Sequence, residues 1–509
     1  HVVRLLLQMY PDKGRTAVTR LDRQGRTPLY YAVRYDAPPG VVGLLLEVDA
    51  SAVLEEDQNA DSPLALVWDA WAEKLDGKRT LQRIYAPDSV AEAMEVEYRA
   101  TYVKRRLEGQ SRVKERWNKV NIFLKAAFGF SVDDDAKAKD PPSNEKQGSS
   151  GQSIGERKWR ILHATSAIKC HPSLFFLACA LHPEQASETD GQDLKVPSHI
   201  CGGCNEGPNV TALHFAAASQ ANGETARIII NQLVALNPDA ATTADSTGCL
   251  PLHRIAENKE KCYWTHDGAK EVYLANTRGV FAPDHNGRLP LHCAANAISH
   301  RRAIDESNAS ESIICNLLEA NGDAASHADI FGHLPLHILA QHGQTWDFQI
   351  QAVCDAFRNA ARTRTGVKAG NRLPLHMAAA NPKAQESLTT HLVDLHPRGA
   401  SQADRRGKLP LHLACEVGLP WNAVEPIYNA FPAATRQPEG NERGWNVLHL
   451  AANSVGANTE LFSNLISVCR EAASVPDTRG RYPLHLACLA GKSWDDGVSL
   501  LFDAHPGAI

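Results

Sequence analysis

One phrase returns along the chain, and it decides what the chain can fold into. It reads GRTPLYYA from Gly25, TALHFAA from Thr211, GCLPLHRIA from Gly248, GRLPLHCAA from Gly287 and GHLPLHILA from Gly332. It continues as NRLPLHMAA from Asn371, GKLPLHLAC from Gly407, GWNVLHLAA from Gly444 and GRYPLHLAC from Gly480. The histidines His214, His253, His292, His337, His376, His412, His449 and His485 follow one another at 39, 39, 45, 39, 36, 37 and 36 residues. A looser copy, ILHATSA, puts His163 in the same role, and Asp61-Ser62-Pro63-Leu64-Ala65 repeats the phrase with Ala65 in place of the histidine. The opening VVRLLLQMYP matches the second half of a unit. Self-similarity at a fixed period marks a repeat architecture, so dividing the length by an average domain size misleads here.

Each part of the phrase has a physical reading. Asp-x-x-Gly, as at Asp284/Gly287 or Asp404/Gly407, places Asp first and Gly fourth in a type I turn. The proline three residues past the glycine suits the first helical position, where its missing N–H costs nothing. A small residue, such as Ala295, Cys415 or Cys488, sits three past each histidine and lets a short helix lie close to its neighbour. Glycines (Gly343, Gly418, Gly456, Gly491) are expected to end that helix, and a second apolar helix follows, for example at 311–319, 388–395 and 461–468. This second helix closes on x-Pro-x-Ala, as at Pro183, Pro238, Pro397, Pro432 and Pro506. Helices this short are marginal alone in water, so each unit needs its neighbours to bury its apolar side.

The phrase resembles the ankyrin repeat, most closely from Val210 to Gly491 and more loosely elsewhere outside 92–160. The resemblance implies an all-α fold, an α-solenoid of about eleven stacked helix-turn-helix units with short hairpin-like fingers. It also implies a concave face of fingers and helices that binds other proteins without catalysis. Two departures stand out. Leu250, Leu289, Leu334, Leu373 and Leu409 occupy the position where the family usually has Thr, which removes a hydroxyl beside the histidine. The spacing also exceeds the family's period of about 33 residues.

The sequence divides into N-terminal repeats at 1–89, a basic helical insertion at 90–130, a disordered linker at 131–158 and a main repeat region at 159–509. Between Arg99 and Lys125 nine basic residues face two acidic ones, and Val113, Trp117, Val120, Leu124 and Phe128 keep helical spacing. The favoured reading is an inserted helix hairpin docked on the repeats with its charges in water. A calmodulin-like partner at 99–130 and contact with a membrane surface are the alternatives.

Composition limits the remaining choices. With 53 Lys+Arg against 58 Asp+Glu the net charge is −5, which argues against nucleic acid as partner. No apolar run approaches the roughly 20 residues of a membrane span. Twelve cysteines are too few for a disulfide scaffold and suit a reducing, cytoplasmic or nuclear location. Because it opens on His1 and stops inside a unit at Ile509, the chain reads as a fragment. A regulatory or targeting array of a larger enzyme or channel is therefore the competing functional reading, and a calcium-signalling adaptor working through the basic insertion is a second.

No catalytic residue, metal or cofactor is expected. Gly151-Gln152-Ser153-Ile154-Gly155 matches a nucleophile elbow but lies in the linker, without the strand and helix that expose such a serine. Cys201 and Cys204, with His199, have half the ligands of a zinc site and no second pair at zinc-site spacing. The anchor histidines are expected to be neutral and bonded to backbone. Candidate partner-binding residues are those after each turn glycine or Asn371 (Arg288, His333, Arg372, Lys408, Trp445, Arg481) and tryptophans nine residues past an anchor (Trp346, Trp421, Trp494). The first row suits an acidic partner, and replacing its basic members with serine is expected to leave stability nearly unmoved.

Overall fold

Each unit is started by its turn. In the computed structural model the glycine N–H donates to the aspartate carbonyl at 2.9 Å in Asp284/Gly287, Asp329/Gly332 and Asp477/Gly480, and at 3.0 Å in Asp404/Gly407. The aspartate carboxylate accepts backbone N–H groups two and four residues on: Asp284 takes those of Asn286 and Arg288, each at 2.8 Å. Glycine is required because φ is positive there, +72° at Gly287 and +79° at Gly332, and Asn371 holds the place at +54°. Thr365 and Glu439 replace the aspartate in two units, yet their N–H groups still close the hairpin on Arg372 and Trp445 at 2.8 Å. Prolines then open the helices as expected: Pro28, Pro251, Pro290, Pro335, Pro374, Pro410 and Pro483 each stand first.

The structure describes residues 18–35, 37–59, 62–72, 111–130, 158–170, 172–190, 209–221, 223–298, 306–440 and 442–508. The chain divides into two compact units, one spanning 1–251 with 266–275 and the other 252–265 with 276–509. In both, short helices packed on their sequence neighbours dominate.

In the first unit, α1 (Pro28–Arg34) packs on α2 (Pro39–Val48) and α3 (Pro63–Ala72). Helix α4 (Ser111–Ala127) lies against α3, with Val120, Leu124 and Phe128 at 1% exposure or less. Val120, Leu124 and Phe128 of the apolar stripe are thus covered by their own chain, and Trp117 is half-buried. Lys125 on the same helix is buried as well, against the expectation that its charges all face water. Residues 90–110 and 131–157, with the linker and its GQSIG motif, lie outside the described residues. Further on, α5 (Ile161–Ala167) packs on α6 (Pro172–Leu181) and α7 (Ala212–Ala218), α8 (Gly223–Leu236) packs on α7, and α10 (Ala269–Ala275) packs on α8. A two-residue antiparallel pair, β1 (Thr189–Asp190) with β2 (Val210–Thr211), precedes α7.

The second unit continues the pattern. α9 (Pro251–Glu257) enters it from Leu252 onward. The first helices are α11 (Pro290–Ala297), α13 (Pro335–His342), α15 (Pro374–Ala379), α17 (Pro410–Val417), α19 (Val447–Asn453) and α21 (Pro483–Leu489), each packed on the next. Their partners are α12 (Ile313–Ala320), α14 (Phe348–Ala356), α16 (Glu386–Leu395), α18 (Trp421–Ala430), α20 (Thr459–Cys469) and α22 (Val498–Ala504). The Pro-x-Ala segments are not mere closing loops: Pro238, Pro397 and Pro432 each start one turn of 3-10 helix. Among the expected stops, Gly418 caps α17 in the left-handed region, whereas α19 already ends at Asn453 before Gly456.

The core runs between helix pairs, where Ala295, Ala340, Ala379, Cys415 and Ala452 are all at 1% exposure or less. Cys488, expected in the same core position, is exposed, and so is His485. Among the described residues no further helix pair packs on that side of α21, the side that buries the equivalent residues in the other units.

Two glycines of like conformation separate strain from collision. At Gly480 (φ +75°) an added Cβ meets nothing, so Gly480→Ala costs only the left-handed strain, about 1 kcal/mol. At Gly332 (φ +79°) the Cβ runs into the Gly366 backbone of the next finger. Gly332→Ala is expected to cost roughly 2–4 kcal/mol, strain plus overpacking. Denaturant midpoints of the two variants check this, and equal shifts would contradict it.

Candidate functional site

The recurring histidines join one repeat to the next. Nδ1 of His292, His337, His376 and His412 accepts the backbone N–H of the leucine three residues earlier at 3.1–3.2 Å. The Thr211 N–H makes the same bond to Nδ1 of His214 at 3.2 Å, with the Thr211 Oγ1 also 2.8 Å from that nitrogen, so the leucines lose the hydroxyl contact and keep the backbone one. Nε2–H then donates forward to a carbonyl of the following repeat: His253 to Arg288, His292 to His333, His337 to Thr363, His412 to Gln437 and His449 to Arg481, at 2.9–3.2 Å. Each of these rings is fully buried. Burial lowers the pKa of His253, His292, His337 and His376 to about 4, and that of His163 to about 3 with Arg160 adding to the effect. They are neutral structural groups, as the sequence suggested.

The fingers join too. Ile330 N–H donates to Asn286 O (3.0 Å), Gly366 to Phe331 (2.7 Å), Arg405 to Gly370 (2.8 Å), Gly440 to Gly407 (3.1 Å) and Thr478 to Arg443 (3.1 Å). One backbone hydrogen bond therefore connects each finger of the second unit to the next from 284 to 480.

The row after the turn glycine serves this framework. Arg288, His333 and Arg481 bind the aspartate of their own turn, at 2.8, 3.1 and 2.8 Å. Arg372 has Thr365 where an aspartate would stand, and reaches forward to Asp404 at 3.1 Å. Lys408 reaches Glu439 at 3.3 Å and Glu416 at 2.6 Å. Trp445 is 6% exposed, with its indole N–H on Asp477 at 3.1 Å and Arg443 over its ring. Burial works against the charge of Asp477, but bonds from Arg481, Arg479 and Trp445 hold its pKa at about 2. These contacts argue against the expectation that the basic side chains can be removed at no cost to stability, because each neutralises a carboxylate that folding has taken out of water.

Of the three tryptophans expected at the start of second helices, Trp421 opens α18, Trp346 stands two residues before α14, and Trp494 opens a separate 3-10 turn ahead of α22. Trp346 stacks flat on His391 (5.0 Å, 4°) and its backbone N–H binds Ser387 Oγ of the following repeat, so it staples two helices. Trp421 is half-buried against Tyr428, and Trp494 is 58% exposed beside Phe502.

What the structure leaves outward in the second unit is the pair inside the Asp-x-x-Gly turns. His285, Asn286, Ile330, Phe331, Arg405, Arg406 and Arg479 are exposed, as are Val367 and Lys368 of the longer finger at 365–371. Sequence reasoning passed over them because it followed what repeats, and these residues change from unit to unit. The signal that finds them is variation inside a fixed frame.

Among the described residues no group of three or more His, Cys, Asp or Glu could hold a metal ion, and His199, Cys201 and Cys204 lie outside them. No described helix is long and apolar enough to cross a membrane. No family model matches the chain, and no curated protein matches it.

Proposed function

We propose that this chain is a non-catalytic scaffold for protein–protein interaction, an ankyrin-like α-solenoid that presents its fingers to partner proteins. One observation carries the reading: what repeats is buried and internally bonded, and what varies is exposed. The histidines, the turn carboxylates and the row that neutralises them all serve the frame. The residues left at the finger tips differ in each unit and include large apolar side chains in water, a composition that costs solubility unless something binds there.

A photo-crosslinking amino acid placed at Phe331 or Arg406, and at Asp323 as an exposed control, tests the proposal in extract of the source cells. The two finger positions are expected to yield discrete protein adducts that the control does not. Adducts of equal pattern at all three positions, or none at any, would remove the reading.

A further inference from the structure

We propose that the finger tips of the second unit dock one extended acidic polypeptide segment bearing a bulky apolar side chain at one end. This deepens the scaffold reading and rests on it. The tips are ordered in character along the hydrogen-bonded row. Ile330, Phe331 and Val367 are 60%, 44% and 63% exposed, and the Gly366–Phe331 bond places them on neighbouring fingers as one apolar cluster. Basic residues begin where the cluster ends: the Arg405 guanidinium donates to the Val367 carbonyl at 3.1 Å.

Arg406, Arg443 and Arg479 continue along the next tips, all exposed, and Lys368 shares its finger with Val367. Among the described residues of these tips the one acid is Glu442. The acids beneath them, Asp404, Glu439 and Asp477, are buried and engaged by Arg372, Lys408 and Arg481. Lys368, Arg405, Arg406 and Arg479 form no ion pair with any described residue. The charge left over is positive and faces water on a molecule whose net charge is −5.

The occupant's form follows from geometry. Each finger is two chain segments wide at a spacing of about 4.8 Å, so tips recur about every 10 Å. A chain in the extended polyproline II form, three residues per turn at about 3.1 Å each, covers that distance in about three residues and returns every third side chain to the same face. A segment of about 12 residues, acidic at every third position, meets the tips from Val367 to Arg479 while its apolar end rests on Ile330 and Phe331. Charge matching along such a row steers encounter and register, and the apolar end supplies the anchor. A nucleic acid would meet the basic tips but has no use for an apolar cluster at one end of them, and an anionic membrane, which would accept both, is the alternative that vesicle competition decides.

The test is fluorescence anisotropy with the intact chain. The probe is a labelled peptide with Glu at every third position, Ser between, and Leu-Trp at one end, made in both chain directions. Micromolar, saturable binding of one direction is expected. Arg405→Ser/Arg406→Ser/Arg479→Ser should weaken it at least tenfold and flatten its salt dependence. Ile330→Ser/Val367→Ser should weaken it similarly while keeping that dependence. Circular dichroism confirms that both variants are folded; should the first not be, Arg406→Ser/Arg479→Ser replaces it.

Absence of saturable binding by the unaltered chain, or binding indifferent to both variants, overturns the proposal. So does equal binding of heparin or anionic vesicles that displaces the peptide. If finger-position crosslinks persist while the peptide fails, only the acidic-segment assignment falls; if both fail, the scaffold reading falls with it.

Discussion

Taking the protein from pH 7 to pH 5 is expected to lower its denaturant midpoint steeply. The cause is the set of buried imidazoles: His253, His292, His337 and His376 with pKa about 4, His163 about 3, and His412 and His449 also lowered, all chiefly by burial. The Nδ1 atoms of His292, His337, His376, His412 and His449 already receive a backbone N–H, so a second proton there would set donor against donor. Unfolded, the same rings titrate near pH 6.5. The unfolded chain therefore binds more protons between those values. The stabilisation is fully present above about pH 6.5, is lost as the pH falls toward 4, and stops changing once the folded rings also protonate. At pH 5 each of the four rings with pKa about 4 costs about 2 kcal/mol. Against a stability of about 5–15 kcal/mol, a few such sites suffice to unfold a region. Urea titrations followed by circular dichroism at pH 7, 6 and 5 check this, and a level midpoint across that range would contradict it.

Lys408→Ala is expected to be the most damaging single change in the basic row, at about 3–5 kcal/mol at pH 7. The Glu439 side chain is 1% exposed, and Lys408 at 3.3 Å is the cation that faces it. Removing the lysine leaves a carboxylate in a dry site without the cation that offsets its lost hydration. Glu416, the other partner of Lys408, is 43% exposed and returns to water at little cost. The second change Glu439→Gln should therefore recover most of the loss in the Lys408→Ala background. Thermal melts of both variants decide the matter: a single variant as stable as the parent, or a double variant no better than the single, would show that the pair carries no such energy.

Much of the frame was legible because it depends on local chemistry. A left-handed position requires glycine or asparagine, a first helical turn accepts proline, and a helix held close to its neighbour requires a small side chain. These rules act within a few residues, so the recurrence of Asp-x-x-Gly, Pro-Leu-His and Ala located the turns and most helices. The same phrase identified the histidines as neutral and structural, since one ring recurring at one position in successive repeats has to serve the fold.

The partners were decided by tertiary structure alone. Arg288 binds the aspartate four residues before it, while Arg372, at the equivalent position, binds Asp404 of the next finger. Which carboxylate each finds depends on how neighbouring fingers approach, and no local spacing encodes that. Lys408 and Trp445 looked like surface residues by register and are buried by that same approach. Likewise His485 and Cys488 share the phrase of their buried counterparts and are exposed, because burial is conferred by whatever packs on top. A chain can specify its turns one unit at a time, but which polar groups are consumed and which remain to meet another molecule is settled between units.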